Sequence, residues 1–150
     1  MHHTTTARRT ALAAAAALLA ALVGCGGESY PMAPVSGRVT LDGQPLAGAR
    51  VGFEPRRQGE SPNAGPGSYA TTDADGRFEL VALTGAKGAV VATHDVRIST
   101  VVLPAQRGED LAVAVPEKVP PCYNDETTLT FDVPAKGAAD ADFALSTSIE

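Results

Sequence analysis

From Val35 onward, apolar and polar residues alternate with a period of two, and turn signals interrupt the alternation at short intervals. Successive side chains on a strand point to opposite faces, so this pattern commits the chain to short, half-buried strands. Val35, Gly37, Val39 and Leu41 share one face, Ser36, Arg38, Thr40 and Asp42 share the other, and Asp42-Gly43 ends the run. Ala49, Val51 and Phe53 alternate with Arg50, Gly52 and Glu54 in a second strand, and residues 68–72 supply a third. Asp73-Ala74-Asp75-Gly76 reads as a turn, after which Phe78 and Leu80 alternate with Arg77 and Glu79, so the third and fourth runs are expected to form a hairpin. Further strands are expected at residues 94–103, where Val96, Ile98, Thr100 and Val102 share a face, at 129–133 and at 142–145. Leu111, Val113 and Val115, bracketed by Pro104 and Pro116, read as an edge strand, where proline is tolerated. About seven short strands with frequent turns predict an all-β sandwich.

Ahead of this pattern the chain is of a different kind. Residues 1–10 carry Arg8 and Arg9 and no acid, and residues 11–23 are an unbroken apolar run. Thirteen residues at ~1.5 Å each are too few to cross a hydrocarbon core of about 30 Å, but they suit the apolar region of a secretory signal. A signal peptide is therefore expected at residues 1–24, followed by a Gly-, Glu-, Ser- and Pro-containing tether at 25–34 and a single domain at 35–150. A flexible tether of about ten residues would hold the domain about 17 Å from its anchor point on average. Cleavage removes Arg8 and Arg9 but none of the 17 acidic residues, taking the formal charge from −5 to −7. No nucleic-acid partner is expected for such a chain, because phosphate neutralisation needs clustered Lys and Arg.

Three resemblances follow from motifs of the chain. Leu22-Val23-Gly24-Cys25 resembles the lipobox of bacterial lipoproteins. That resemblance implies diacylglyceryl attachment at Cys25, cleavage before it and acylation of the new amino group, which together anchor the chain to a membrane on its extracytoplasmic side. Gly37-Arg-Val-Thr-Leu-Asp-Gly43-Gln-Pro45-Leu46-Ala-Gly48-Ala49-Arg-Val51 and Thr72-Asp73-Ala-Asp-Gly76-Arg-Phe78 together resemble the carboxypeptidase regulatory-like domain. This implies a seven-stranded, Greek-key sandwich of the prealbumin or immunoglobulin-like type. Gly88-Ala89 before Thr93-His94-Asp95-Val96-Arg97-Ile98, and Pro116-Glu-Lys118 to Tyr123 before Thr128-Leu129, resemble a group of planctomycete lipoproteins.

The motif residues read as architecture. Gly43 and Gly76 fall where tight turns require positive φ, and Phe78 falls inward as a plug of the core. Asp73 and Asp75 resemble the start of a calcium loop, but the residues after them lack further oxygen ligands at the spacing such a loop needs. His94 and Asp95, neighbours on a strand, point to opposite faces and cannot pair as base and orienter, so His94 is expected at the surface or rim. A zinc site would need His94, Cys122 and a carboxylate converging from distant segments. The Ser61 to Gly67 loop lacks the Lys-Ser or Lys-Thr of a phosphate cradle. One enzyme, the hydroxyisourate hydrolase, shares the transthyretin-like fold, but it uses several His and Arg residues with a C-terminal Tyr-Arg-Gly-Ser that this chain lacks.

These readings lead to a membrane-anchored envelope lipoprotein carrying a non-catalytic structural or binding module, without metal or cofactor, whose partner is an envelope protein or a polysaccharide. Only Tyr30, Tyr69 and Tyr123 are available as sugar platforms. The alternatives are an accessory or hydrolytic enzyme with a loop-built site, and a calcium-stabilised adhesion module.

Overall fold

The computed structural model describes residues 29–57, 59, 63–101 and 116–148. The fold is all-β, with eleven short strands among the described residues and one 3₁₀ turn at Pro121–Tyr123. The strands are β1 (Met32–Ala33), β2 (Ser36–Leu41), β3 (Gln44–Pro45), β4 (Arg50–Pro55), β5 (Ser68–Thr71), β6 (Arg77–Glu79), β7 (Val81–Ala82), β8 (Ala89–Val90), β9 (Thr93–Ser99), β10 (Thr130–Asp132) and β11 (Phe143–Leu145). A five-stranded antiparallel sheet runs β10-β9-β4-β5-β7. Opposite it, β2 pairs in parallel with β11 on one side, and on the other with β3 along its second half and β6 along its first.

Aromatic residues are scarce, yet all four phenylalanines meet in the space between the sheets. Phe53 of β4 lies 6.5 Å from Phe78 of β6, 5.7 Å from Phe131 of β10 and 6.1 Å from Phe143 of β11, measured between ring centroids. Around this cluster the alternation of the sequence delivers Val39, Val51, Val96 and Ile98, all fully buried. Burying each such side chain stabilises the fold by about 1.5–3 kcal/mol.

The turns explain the rest of the path. Asp42 and Gly43 have φ of 50° and 79°, the pair of positive values that a two-residue hairpin turn between twisted strands needs. The same Asp42 accepts hydrogen bonds from the Thr147 amide (2.9 Å) and hydroxyl (2.7 Å), fastening the C-terminal segment. These bonds hold its carboxyl below the usual range. Gly76 has φ of 75°, and a Cβ there would stand 2.4 Å from the Val39 carbonyl oxygen, so both conformation and space demand glycine. In the same turn the Asp73 carboxylate accepts from the Asp75 and Arg77 amides at 2.9 and 2.8 Å, an Asx-type closure.

The structure departs from the sequence expectation in two places. The runs on either side of the Asp73–Gly76 turn do not form a hairpin: β5 pairs with β4 and β7, while β6 pairs with β2 in the opposite sheet. From that opposite sheet Phe78 faces Phe53 across the core and stacks beside Phe143 of its own sheet, so the turn is a sheet-to-sheet corner. The expected tether at 25–34 also runs too far into the chain. Met32 and Ala33 pair with Val90 and Ala89, Pro31 accepts a bond from the Val91 amide, and Ala33 is buried, so the fold has begun by Pro31. The expected edge strand at Leu111, Val113 and Val115 lies outside the described residues, as do Cys25 and the signal segment.

Candidate functional site

On the outer face of the five-stranded sheet, β4 presents Arg50, Gly52 and Glu54 between the buried Val51 and Phe53. Register sets Thr71 and Ser99 beside Arg50, Tyr69 and Arg97 beside Gly52, and Asp95 beside Glu54. Tyr69 lies along this surface. Its hydroxyl donates to the Glu54 carboxylate, its ring carries the Arg50 guanidinium 4.8 Å from the centroid, and a Cβ on Gly52 would come within 3.0 Å of its Cε1. Glycine at 52 thus leaves the bed in which the ring rests. The bond to Glu54 is the main reason the phenol is held above its ordinary pKa.

The second wall is built around Glu117. Burial opposes its charge, but donors outweigh that cost: Ser99 Oγ at 2.5 Å, the Thr100 amide and hydroxyl at 2.9 and 2.7 Å, and the Lys118 and Val119 amides at 3.0 and 2.9 Å. The carboxyl is pulled down to about 2. It ties the segment entering at Pro116 to the end of β9. Asn124 continues the wall, donating to the Val119 carbonyl at 3.1 Å, and Thr127 donates to the Val96 carbonyl at 2.6 Å. Between the walls runs a groove of about 1000 Å³, whose lining joins Arg50, Arg97 and Ser99 to Val101, Glu117, Val119 and Pro121. Neither Arg50 nor Arg97 forms an ion pair with a described residue, whereas Arg56 is paired with Asp95 at 2.6 Å.

Residues singled out in the sequence fall elsewhere. Gly43, Gly76 and Phe78 are parts of turns and core, not of the groove. His94 is not at the surface: it is fully buried, 5.5 Å from the Phe53 ring, with Nε2–H donating to the Val90 carbonyl at 2.8 Å. Residues of equal parity on β9 share a face, and His94 has the parity of Val96 and Ile98, so the alternation already pointed it inward. Asp95 does point the other way. Cys122 is a free, half-buried thiol on the 3₁₀ turn. Among the described residues, no three His, Cys, Asp or Glu side chains stand close enough to hold a metal. The Arg50–Tyr69–Arg97 surface was missed because no local motif marks it: its members come from three strands, and only register unites them.

Residues 35–113 match the family model described as Domain of unknown function (DUF6795). The chain belongs to this family. Neither the curated proteins nor the solved structures include a match. The DUF6795 region contains β2 through β9, and with them Arg50, Tyr69 and Arg97. It ends before Glu117, so the groove joins one wall from the family region to another supplied by the segment after it.

Proposed function

We propose that this DUF6795 protein is a membrane-anchored envelope lipoprotein whose sandwich, of the carboxypeptidase regulatory-like type, is a non-catalytic binding module. The observation that carries this reading is the arrangement of its N-terminal segments. A basic start, an apolar run too short to span a bilayer and Gly24-Cys25 are followed by a fold that has begun by Pro31. At most residues 26–30 separate Cys25 from that fold, a reach of at most about 20 Å at full extension. A lipid at Cys25 would therefore keep the domain against the membrane surface. No helix among the described residues is long and apolar enough to cross a membrane.

Three side chains of catalytic type are already engaged. His94 faces the core, Asp95 holds Arg56, and Glu117 is bound by four residues of the groove wall and β9 end. What the groove offers a visitor is shape, apolar lining and two arginines, which suits binding. Growth with labelled palmitate tests the anchor: the wild-type protein should label and fractionate with membranes, and Cys25→Ala should do neither. Two or more acyl chains at ~0.8 kcal/mol per buried CH₂ give stable anchoring. Equal labelling of the two proteins would refute the assignment.

A further inference from the structure

We propose that the groove on the outer face of the five-stranded sheet binds a carboxylate carried on an extended peptide segment of a partner protein, held between Arg50 and Arg97. This rests on the binding-module reading and names the class of its ligand. Arg50 stands opposite Ser99 and Arg97 opposite Gly52, so the two arginines are diagonal neighbours on antiparallel strands, about 7–8 Å apart at Cα with side chains on one face. Both are exposed, and neither is neutralised by a described acid. The two guanidiniums stand together on the sheet side of the groove, while the acids of its lining, Glu117 and Asp125, stand on the other wall. A guanidinium presents paired donors that match the two oxygens of a carboxylate, and two neighbouring forks can share one acid or grip two in succession.

The surroundings favour this occupant. Tyr69, itself fixed by Glu54, braces Arg50, which lowers the ordering cost of binding. Glu117 does not compete for the arginines, since donors from Ser99, Thr100, Lys118 and Val119 already surround it. Asp125 lies on the far wall and pairs with neither arginine. Val101, Val119 and Pro121 supply apolar contact for the residues flanking a bound acid, and the groove's roughly 1000 Å³ accommodates a short length of chain. The Tyr69 ring rests on Gly52 and carries Arg50, so it is not free as a stacking platform for a sugar, which favours a peptide over a polysaccharide.

The full-length chain in detergent, titrated with a short fluorescent peptide of alternating Asp and Val, provides the test. Binding should saturate, weaken at least about tenfold in Arg97→Gln and in Arg50→Gln, and weaken as salt rises. It should be unchanged in Arg77→Gln, on the opposite sheet, with thermal melts confirming that each variant is folded. Arg97→Lys should recover only part of the affinity, because charge returns without the fork. Absence of binding, equal binding of the peptide with Asn in place of Asp, or indifference to Arg97→Gln would overturn the proposal. Tighter, arginine-dependent binding of oligogalacturonate would overturn the choice of a peptide. Failure of every probe by a protein that still labels at Cys25 removes this inference alone, whereas loss of that labelling removes the anchored reading alone.

Discussion

His94 spends one ring nitrogen on the Val90 carbonyl and has no hydrogen-bond partner for Nδ1 among the described residues. Burial lowers its pKa, with the backbone at Val90 and Phe53 and the carboxylates of Glu54 and Asp95 pulling the other way. Because the folded pKa lies below the unfolded one, the unfolded chain takes up the proton first. Stability should therefore be intact above about pH 6.5 and decline as pH falls toward the folded pKa. Glu117 acts in a lower window, since its folded pKa of about 2 lies below the ordinary 4.5. Its contribution should hold above about pH 4.5 and fade as pH falls toward 2. Denaturant melts across pH check both: His94→Gln should flatten the profile from about pH 7 to 5, and Glu117→Gln the more acidic part. A wild-type profile flat between pH 7 and 5 would contradict the burial of a neutral imidazole. The inward side of His94 was legible from parity alone. The bonds to Glu117 were not, because Ser99 and Thr100 lie across the segment 102–115 from it and no local pattern signals that meeting.

At the level of elements, alternation located β2, β4, β5, β6 and β9 because each has one face in the core, and the Asp-Gly and Asp-x-Asp-Gly signals located their turns. What alternation does not carry is partnership. A residue pointing inward on β6 looks the same whether its strand pairs with β5 or with β2, and only the need to fill the space beside Phe53 and Phe143 decides it. The shortest strands were invisible for a related reason: two residues such as Met32 and Ala33 cannot display a period. Their pairing with Ala89 and Val90 nevertheless covers buried apolar surface. A chain starting at Val35 should accordingly melt about 4 °C below one starting at Ser29, as expected if removing β1 costs about 1 kcal/mol in a domain of this size. Equal midpoints would show that β1 adds nothing to the fold.

Across the whole molecule, the two sheets are clamped by a core in which every phenylalanine takes part, and the outward side of one sheet is free to carry a groove. The family region supplies the arginines, the segment beyond it supplies the opposite wall, and the proposed lipid sets how far either can stand from a membrane. This last point governs the account, because a module that reaches at most about 20 Å from its anchor meets partners at the membrane surface and not at a distance. The most direct measurement is mass spectrometry of the N-terminal peptide of the protein isolated from its native membranes. The account predicts that the peptide begins at Cys25 and carries a thioether-linked diacylglyceryl group. An unmodified Cys25, or a chain that begins at any other residue, would contradict it.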